Sequence, residues 1–213
     1  IVDPELTVSM PPAITAVTGM DALTQLIEAF VTLKANPLTD GICREGLRQA
    51  APCLLPAFED GRDLAARKAM SLASLFGGLA LANAGLGAVH GLAGPLGGMI
   101  KAPHGMVCAA LLAAVMAANI EALRKQSSGS PYLERYREVA RLLTGRPDAR
   151  AGEGVAWVRT LVRKLALPGL SAWDLREVDL KEAAARAGRA SSMKGNPVAL
   201  SEKALEGVLT AAL

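Results

Sequence analysis

Residues 18–33, TGMDALTQLIEAFVTL, contain the pattern that decides the fold. Apolar side chains recur at the three-and-four spacing of one helix face, at Leu23, Leu26, Ile27, Phe30 and Val31. Thr18 is followed three residues later by Asp21, which matches a capping sequence for the first backbone amides of a helix. The stretch therefore predicts an α-helix from Thr18 to about Leu33 with one face in an apolar core.

The sequence on both sides of this stretch also favours helices. The chain has 213 residues, 51% of them hydrophobic but only 3% aromatic, so Ala and Leu must fill the core. These residues favour helices, and few segments alternate with the period of a strand. Further helices are predicted from residue 37 to a break at 59–61, over 63–82, from 88 to a break at 103–105, from there to 124, and over 131–143, 152–165, 180–190 and 201–212.

Prolines and polar residues suggest where helices are interrupted. Prolines in residues 1–17 predict an extended segment before the first helix, and Pro52 is expected to kink or divide the second helix. The polar residues 126–130 are the best candidate for a boundary, which would divide a single helical domain into residues 1–125 and 131–213.

Charge and composition exclude several classes of partner. The net charge is only +3, from 23 basic and 20 acidic side chains that are mixed along the chain, so no nucleic acid is expected to bind. Residues 70–100 carry no charged side chain, but they contain Asn83, His90, Pro95 and many glycines. This composition favours a buried helix–loop–helix over a membrane span, and no membrane partner is expected.

The three cysteines, Cys43, Cys53 and Cys108, are an odd number without CxxC spacing. Such a set argues against a disulfide framework or a zinc ribbon. It predicts buried thiols in a reducing cytosol.

The polar residues that could bind a metal are few. His90 and His104, the only histidines, are separated by glycine and proline, so a turn could bring them together as metal ligands or leave them as core histidines. Asp21 could bind the same metal or stabilise the helix dipole. Gln25, one turn further along the same face, could offer its amide oxygen to a metal or form a hydrogen bond in the core.

Several motifs together resemble one family, the iron-containing (group III) alcohol dehydrogenases. Residues 18–30 resemble its signature TGMDALTHAIEAY, and Asn36-Pro-Leu-Thr-Asp40 follows as it does in that family. Residues 87–105, GAVHGLAGPLGGMIKAPHG, resemble the second signature, GxxHxxAHxxGxxxxxPHG. Asn196-Pro197 near the end also matches a feature of the family.

The resemblance implies an antiparallel helical bundle like the C-terminal domain of dehydroquinate synthase. It implies that residues 1–125 form the metal-site half and 131–213 a C-terminal helical subdomain. Asp21, His90, His104 and Gln25 stand at the metal-ligand positions, although Gln25 replaces a histidine. Gly94 replaces the histidine that the family is thought to use as a proton relay, so that role is absent or taken by water.

The implied activity is the oxidation of an alcohol or the reduction of an aldehyde with NAD(P). A divalent metal, Fe²⁺ first and Zn²⁺ second, would polarise the oxygen of a small substrate. The alternatives are a maleylacetate reductase-type domain and a non-catalytic helical scaffold that has lost its metal.

The nucleotide-binding half of such an enzyme has no counterpart in this sequence. Because no dinucleotide fingerprint occurs, the N-terminal nucleotide-binding domain is expected to be absent and the isolated chain inactive. An exposed apolar cleft wall would favour a homo-oligomer, and the protein is expected in the cytoplasm.

Overall fold

The computed structural model describes residues 1–127 and 129–213, which form α-helices and short 3-10 helices without a strand. The predicted all-α class is therefore confirmed. The α-helices of these residues are α1 (Pro12–Val31), α2 (Pro37–Glu59), α3 (Leu64–Ala84), α4 (Ala88–Gly97), α5 (His104–Gln126), α6 (Pro131–Thr144), α7 (Ala151–Lys164), α8 (Leu180–Ala187) and α9 (Glu202–Thr210). The 3-10 helices are Pro4–Thr7, Leu170–Trp173, Glu177–Asp179 and Ser191–Gly195.

Helix α1 begins earlier than the sequence pattern predicts. Its first residue is Pro12, and Thr18 lies inside the helix, where its hydroxyl donates to the carbonyl of Ile14 at 2.8 Å. The predicted cap at Thr18 and the predicted extended segment over residues 1–17 are therefore wrong. Proline is well suited to the first position of a helix, because its fixed φ is helical and its missing N–H needs no partner there.

Pro52 does not divide α2, which continues from Pro37 to Glu59. A proline inside a helix leaves the carbonyl four residues earlier without its usual donor. Here that carbonyl belongs to Arg48, and both Arg48 and Pro52 lie on the exposed face, where water can satisfy the group.

Helix α1 forms the centre of the bundle and packs against α2, α3 and α5. The side chains of Leu23, Leu26 and Phe30 are fully buried, as the periodicity predicts. Gly46 of α2 lies so close to α1 that a Cβ there would be 2.4 Å from Leu26. The lack of a side chain at Gly46 thus lets α2 approach α1 closely.

The C-terminal helices pack back onto the first five. Helix α7 contacts α5, and α6 contacts α2. Within the expected boundary at 126–130, Ser128 lies outside the described residues, and the division into 1–125 and 131–213 stays a prediction.

Within residues 1–127 and 129–213, three helices are long and apolar enough to cross a membrane by length and composition alone, namely Pro12–Val31, Leu64–Ala84 and His104–Gln126. In the most apolar windows of α1 and α5, 78% and 67% of the residues are buried within the protein, but only 33% are buried in α3. Helix α3 therefore exposes apolar side chains, including Leu75, Leu79 and Leu81. The expected absence of a membrane partner stays a prediction.

Candidate metal centre

Helix α1 carries two carboxylates toward the start of α4. Asp21 and Glu28 are separated by two helical turns and lie on the same side of the helix. Glu28 is almost completely buried, whereas the side chain of Asp21 is 23% exposed. Two acids in this setting require partners, since a buried unpaired charge is strongly unfavourable.

Glu28 fixes the orientation of His90. One of its oxygens accepts a hydrogen bond from the backbone N–H of Val89 at 2.7 Å, and the other accepts one from His90 Nδ1 at 2.6 Å. Because Nδ1 donates to this carboxylate, Nε2 is the free ring nitrogen, and it lies 3.3 Å from Asp21 Oδ1. A carboxylate behind a histidine in this way is typical of metal-binding histidines.

The start of α4 is capped by distant side chains, because Gly87 at the cap position has none. Glu28 of α1 accepts from Val89, and Asn196 accepts from the backbone N–H of Ala88 at 3.2 Å. A Cβ on Gly87 would be 3.0 Å from Oε1 of Glu28 and from Oδ1 of Asn196. The glycine thus leaves room for both caps, which place His90 in the first turn of α4.

His104 is the first residue of α5, and its Nε2 lies 3.6 Å from the same Asp21 oxygen. The next residue, Gly105, lets α5 contact α1 closely, because a Cβ there would be only 2.1 Å from the carbonyl oxygen of Val17. The side chain of His104 is 53% exposed. It forms the solvent side of the site.

Cys108, one turn after His104 on α5, also belongs to this group. Its Sγ lies 3.5 Å from His104 Nε2 and 3.8 Å from His90 Nε2, and the residue is fully buried. Sequence reasoning treated it only as a buried thiol. The available signal was its spacing of four residues from His104, which places both side chains on one helix face.

One ligand atom from each of Asp21, His90, His104 and Cys108 can be chosen so that all four lie within 4.8 Å of one another. Asp21 Oδ1 is buried and has no hydrogen-bond partner. Two ligands on bonds of about 2.1 Å at a tetrahedral angle would be about 3.4 Å apart. The observed separations of 3.3 and 3.6 Å between Asp21 and the two imidazoles therefore fit one shared cation.

The charges around His90 also favour a cation. Burial, the largest influence, would lower the pKa of His90, but the neighbouring Asp21, Cys108 and Glu28 raise it to about 12. Burial would likewise raise the pKa of Asp21, yet the nearby His90 ring lowers the pKa overall. In the metal-free protein, two carboxylates face one buried imidazolium, Glu28 at Nδ1 and Asp21 at Nε2, so the site favours added positive charge.

Gln25 lies beside this group. Its amide Nε2 donates to Asp21 Oδ2 at 3.0 Å, and its Oε1 faces α3, 2.9 Å from where a Cβ of Gly77 would be. If the amide were reversed, its oxygen would face a carboxylate oxygen that has no hydrogen to donate. Whether Gln25 binds a metal stays a prediction, as do the other three ligands.

Two other features lie outside the group. A Cβ added at Gly94 would meet no atom within 4 Å, so the position of the family's middle histidine is open here. A pocket of about 580 Å³ lies between α1 and α3 and is lined by residues such as Thr18, Ala22 and Ser74. Its lining does not include any of the four potential ligands, so it is separate from the candidate metal centre.

Comparisons with known proteins show the family to which the chain belongs. The family model described as "Fe-containing alcohol dehydrogenase family, C-terminal" matches residues 15–213. A choline dehydrogenase of Bacillus subtilis (strain 168) is 34% identical over 211 residues, which cover 96% of this chain and 50% of that protein. The chain thus spans about half the length of such relatives.

Solved structures share the fold. The crystal structure of a 1,3-propanediol oxidoreductase matches with a TM-score of 0.91 and 32% identity, over 99% of this chain and 55% of that one. A maleylacetate reductase from Agrobacterium tumefaciens matches with a TM-score of 0.83 and 26% identity, over 99% of this chain and 55% of that one. This chain belongs to the Fe-containing alcohol dehydrogenase family, as the C-terminal helical domain of that family.

Proposed function

We propose that this chain is the metal-binding half of an NAD(P)-linked alcohol dehydrogenase that interconverts a small alcohol and its aldehyde. The observation that supports this most is the convergence of Asp21, His90 and His104 around the partnerless oxygen of Asp21. Relatives named for choline and for 1,3-propanediol support an alcohol as the substrate.

Asp21, His90 and His104 would hold a divalent metal, with Fe²⁺ as the first candidate and Zn²⁺ as the second. When bound, such a metal acts as a Lewis acid that makes the substrate hydroxyl easier to deprotonate. Glu28 keeps His90 oriented and holds its Nδ1 proton, so that Nε2 is free to bind. His104 lies at the solvent side, where a small substrate can approach.

NAD(P) is proposed to bind mainly outside these 213 residues. The relatives are about twice as long as this chain, and no dinucleotide fingerprint occurs in the sequence. Hydride transfer would then occur between this helical half and a nucleotide-binding half of the enzyme. The isolated chain is expected to show no alcohol oxidation.

The maleylacetate reductase alternative shares the fold, so the fold alone does not discriminate between the substrates. The scaffold alternative differs in one measurable property, since a scaffold has no reason to bind metal. Metal content therefore tests the proposal before any substrate is known.

The first prediction concerns metal content. The chain purified without chelator and then supplied with Fe²⁺ or Zn²⁺ should hold about one ion. Asp21→Asn should lower the occupancy strongly, because it removes the charge that both imidazoles face. The matched variant Asp148→Asn, at an exposed acid, should keep the metal. An empty site at saturating metal would refute the proposal.

A further inference from the structure

Cys108 has no part in the ligand pattern of the resemblance, yet its sulfur lies within the candidate metal centre. Its Sγ is close to the free nitrogens of both histidines, at 3.8 Å for His90 and 3.5 Å for His104. The residue is completely buried, and separations of 3.5 and 3.8 Å leave no room for a water molecule between the sulfur and the imidazoles. The simplest explanation is a weak S–H hydrogen bond to one ring, and the spacing around the site permits a stronger interaction.

The separations can be compared with those of a shared cation. With bonds of about 2.1 Å to nitrogen and about 2.3 Å to sulfur, tetrahedral ligands are about 3.6 Å apart. The two observed sulfur–nitrogen distances lie within a few tenths of an ångström of this value. The two Asp21 separations and the two Cys108 separations thus fit ligands on one ion, and all four ligand atoms lie within 4.8 Å of one another.

The position of Gln25 leaves the fourth ligand site to another residue. Its amide nitrogen is used by Asp21 and its oxygen faces α3, so this side chain orients the carboxylate. Helix α5, in contrast, presents His104 and Cys108 from consecutive turns of one face, which is the spacing of paired ligands on a helix. A thiolate is also a stronger ligand than a neutral amide for zinc and related ions.

We infer that Cys108 is the fourth protein ligand of this centre, giving a set of one aspartate, two histidines and one cysteine thiolate. The thiol loses its proton to solvent as the metal–sulfur bond forms. The inference rests on the proposed function only in requiring that a metal binds. With four protein ligands, a substrate oxygen would have to bind as a fifth ligand, and the half-exposed His104 marks the side from which it could approach.

Cobalt(II) is the probe that tests this ligand directly. Free Co²⁺ absorbs very little in the near ultraviolet, whereas a cobalt–thiolate bond gives a sulfur-to-metal charge-transfer band there. Titration of the full chain with Co²⁺, under a reductant that does not bind metal, should produce this band together with the visible bands of bound cobalt. Because this band is measured on the wild-type protein, its presence or absence cannot result from misfolding of a variant.

Variants assign the band to one residue. Cys108→Ser should remove it and weaken Co²⁺ and Zn²⁺ binding by at least about tenfold, since even changes behind a ligand cost 10- to 100-fold in affinity. Cys108→Ala serves as a second variant, and circular dichroism shows whether each is folded. The matched control Cys53→Ser removes a half-buried thiol elsewhere and should keep the band. Gln25→Ala should also keep it.

The outcomes separate this inference from the proposed function. Cobalt that binds stoichiometrically without a charge-transfer band would overturn Cys108 ligation and leave the metal site intact. Loss of the band in Gln25→Ala but not in Cys108→Ser would also overturn it. Failure to bind any of the metals would overturn both the ligand assignment and the proposed function.

Discussion

At the scale of single residues, Glu28 holds the His90 ring through its Nδ1 atom. In residues 18–33 it is one polar position on a mainly apolar helix. In the fold it is buried, accepts from Val89 and orients His90. Its role depends on residues more than sixty positions away, and no local pattern in α1 predicts such a contact.

The second prediction concerns this carboxylate. Glu28→Gln keeps the shape but removes the charge that holds the His90 ring, so metal affinity should fall by about 10- to 100-fold. The measurement is a competition titration with a chromophoric chelator. Glu138→Gln, which breaks only a partly exposed pair with Arg44, should leave the metal affinity unchanged. Equal losses in both variants would contradict a specific role for Glu28.

The third prediction concerns pH and the metal-free protein. The pKa of His90 is raised to about 12, so its protonation stabilises the fold fully below the usual unfolded value of 6.5 and is lost as pH rises toward 12. The pKa of Asp21 is lowered, so its ionisation stabilises the fold above 3.8 and is lost as pH falls through the lowered value. Stability from this pair is therefore greatest between these two unfolded values.

Denaturant unfolding in the presence of a chelator, at a series of pH values, measures this dependence. We expect stability to decline from pH 6.5 upward, and His90→Gln to remove most of that decline. Metal binding should show the opposite trend, because the ion displaces the extra proton of His90 and, by our inference, the thiol proton of Cys108, with affinity rising by about tenfold per pH unit for each proton displaced. An unchanged decline in His90→Gln would contradict the assignment.

At the scale of helices, periodicity predicted the elements well and their ends less well. The core face of α1 follows from Leu23, Leu26 and Phe30, which are all buried. Its start at Pro12 did not follow, because the capping pattern at Thr18 also occurs inside helices. The convergence of Asp21 with the histidines was anticipated from the family resemblance, whereas spacing alone left other roles open.

The fourth prediction concerns the contact between α5 and α1. Gly105→Ala would place a Cβ 2.1 Å from the carbonyl oxygen of Val17, so the helices must separate and carry His104 away from Asp21. We expect a lower melting temperature and weaker metal binding. Gly41→Ala in α2 meets no atom within 4 Å and should be neutral or stabilising by about 0.5–1 kcal/mol. Retained metal affinity in Gly105→Ala would count against this contact as the cause of the geometry.

At the scale of the whole molecule, α3 is the least covered of the three long apolar helices. Leu75 and Leu79, four residues apart on one face of this helix, are each roughly 40% exposed. A face of this kind favours contact with another protein surface, and self-association was expected from the sequence. Self-association therefore stays a prediction.

The fifth prediction follows from that face. Light scattering should show a mass above that of one chain, and Leu79→Glu should weaken the association by at least about tenfold through loss of a buried leucine. Leu38→Glu, at an exposed leucine on α2, should not change it. A wild-type chain that stays monomeric at high concentration would contradict the prediction.

The caps at the start of α4 have a consequence for how the protein is made. The helix start that carries His90 is held by Glu28 from early in the chain and by Asn196, more than a hundred residues after that helix start. All the candidate ligands precede Asn196 in the sequence, so the ribosome synthesises them before it adds Asn196. Any polypeptide broken off before that residue lacks one of the two caps, although it contains all the histidines.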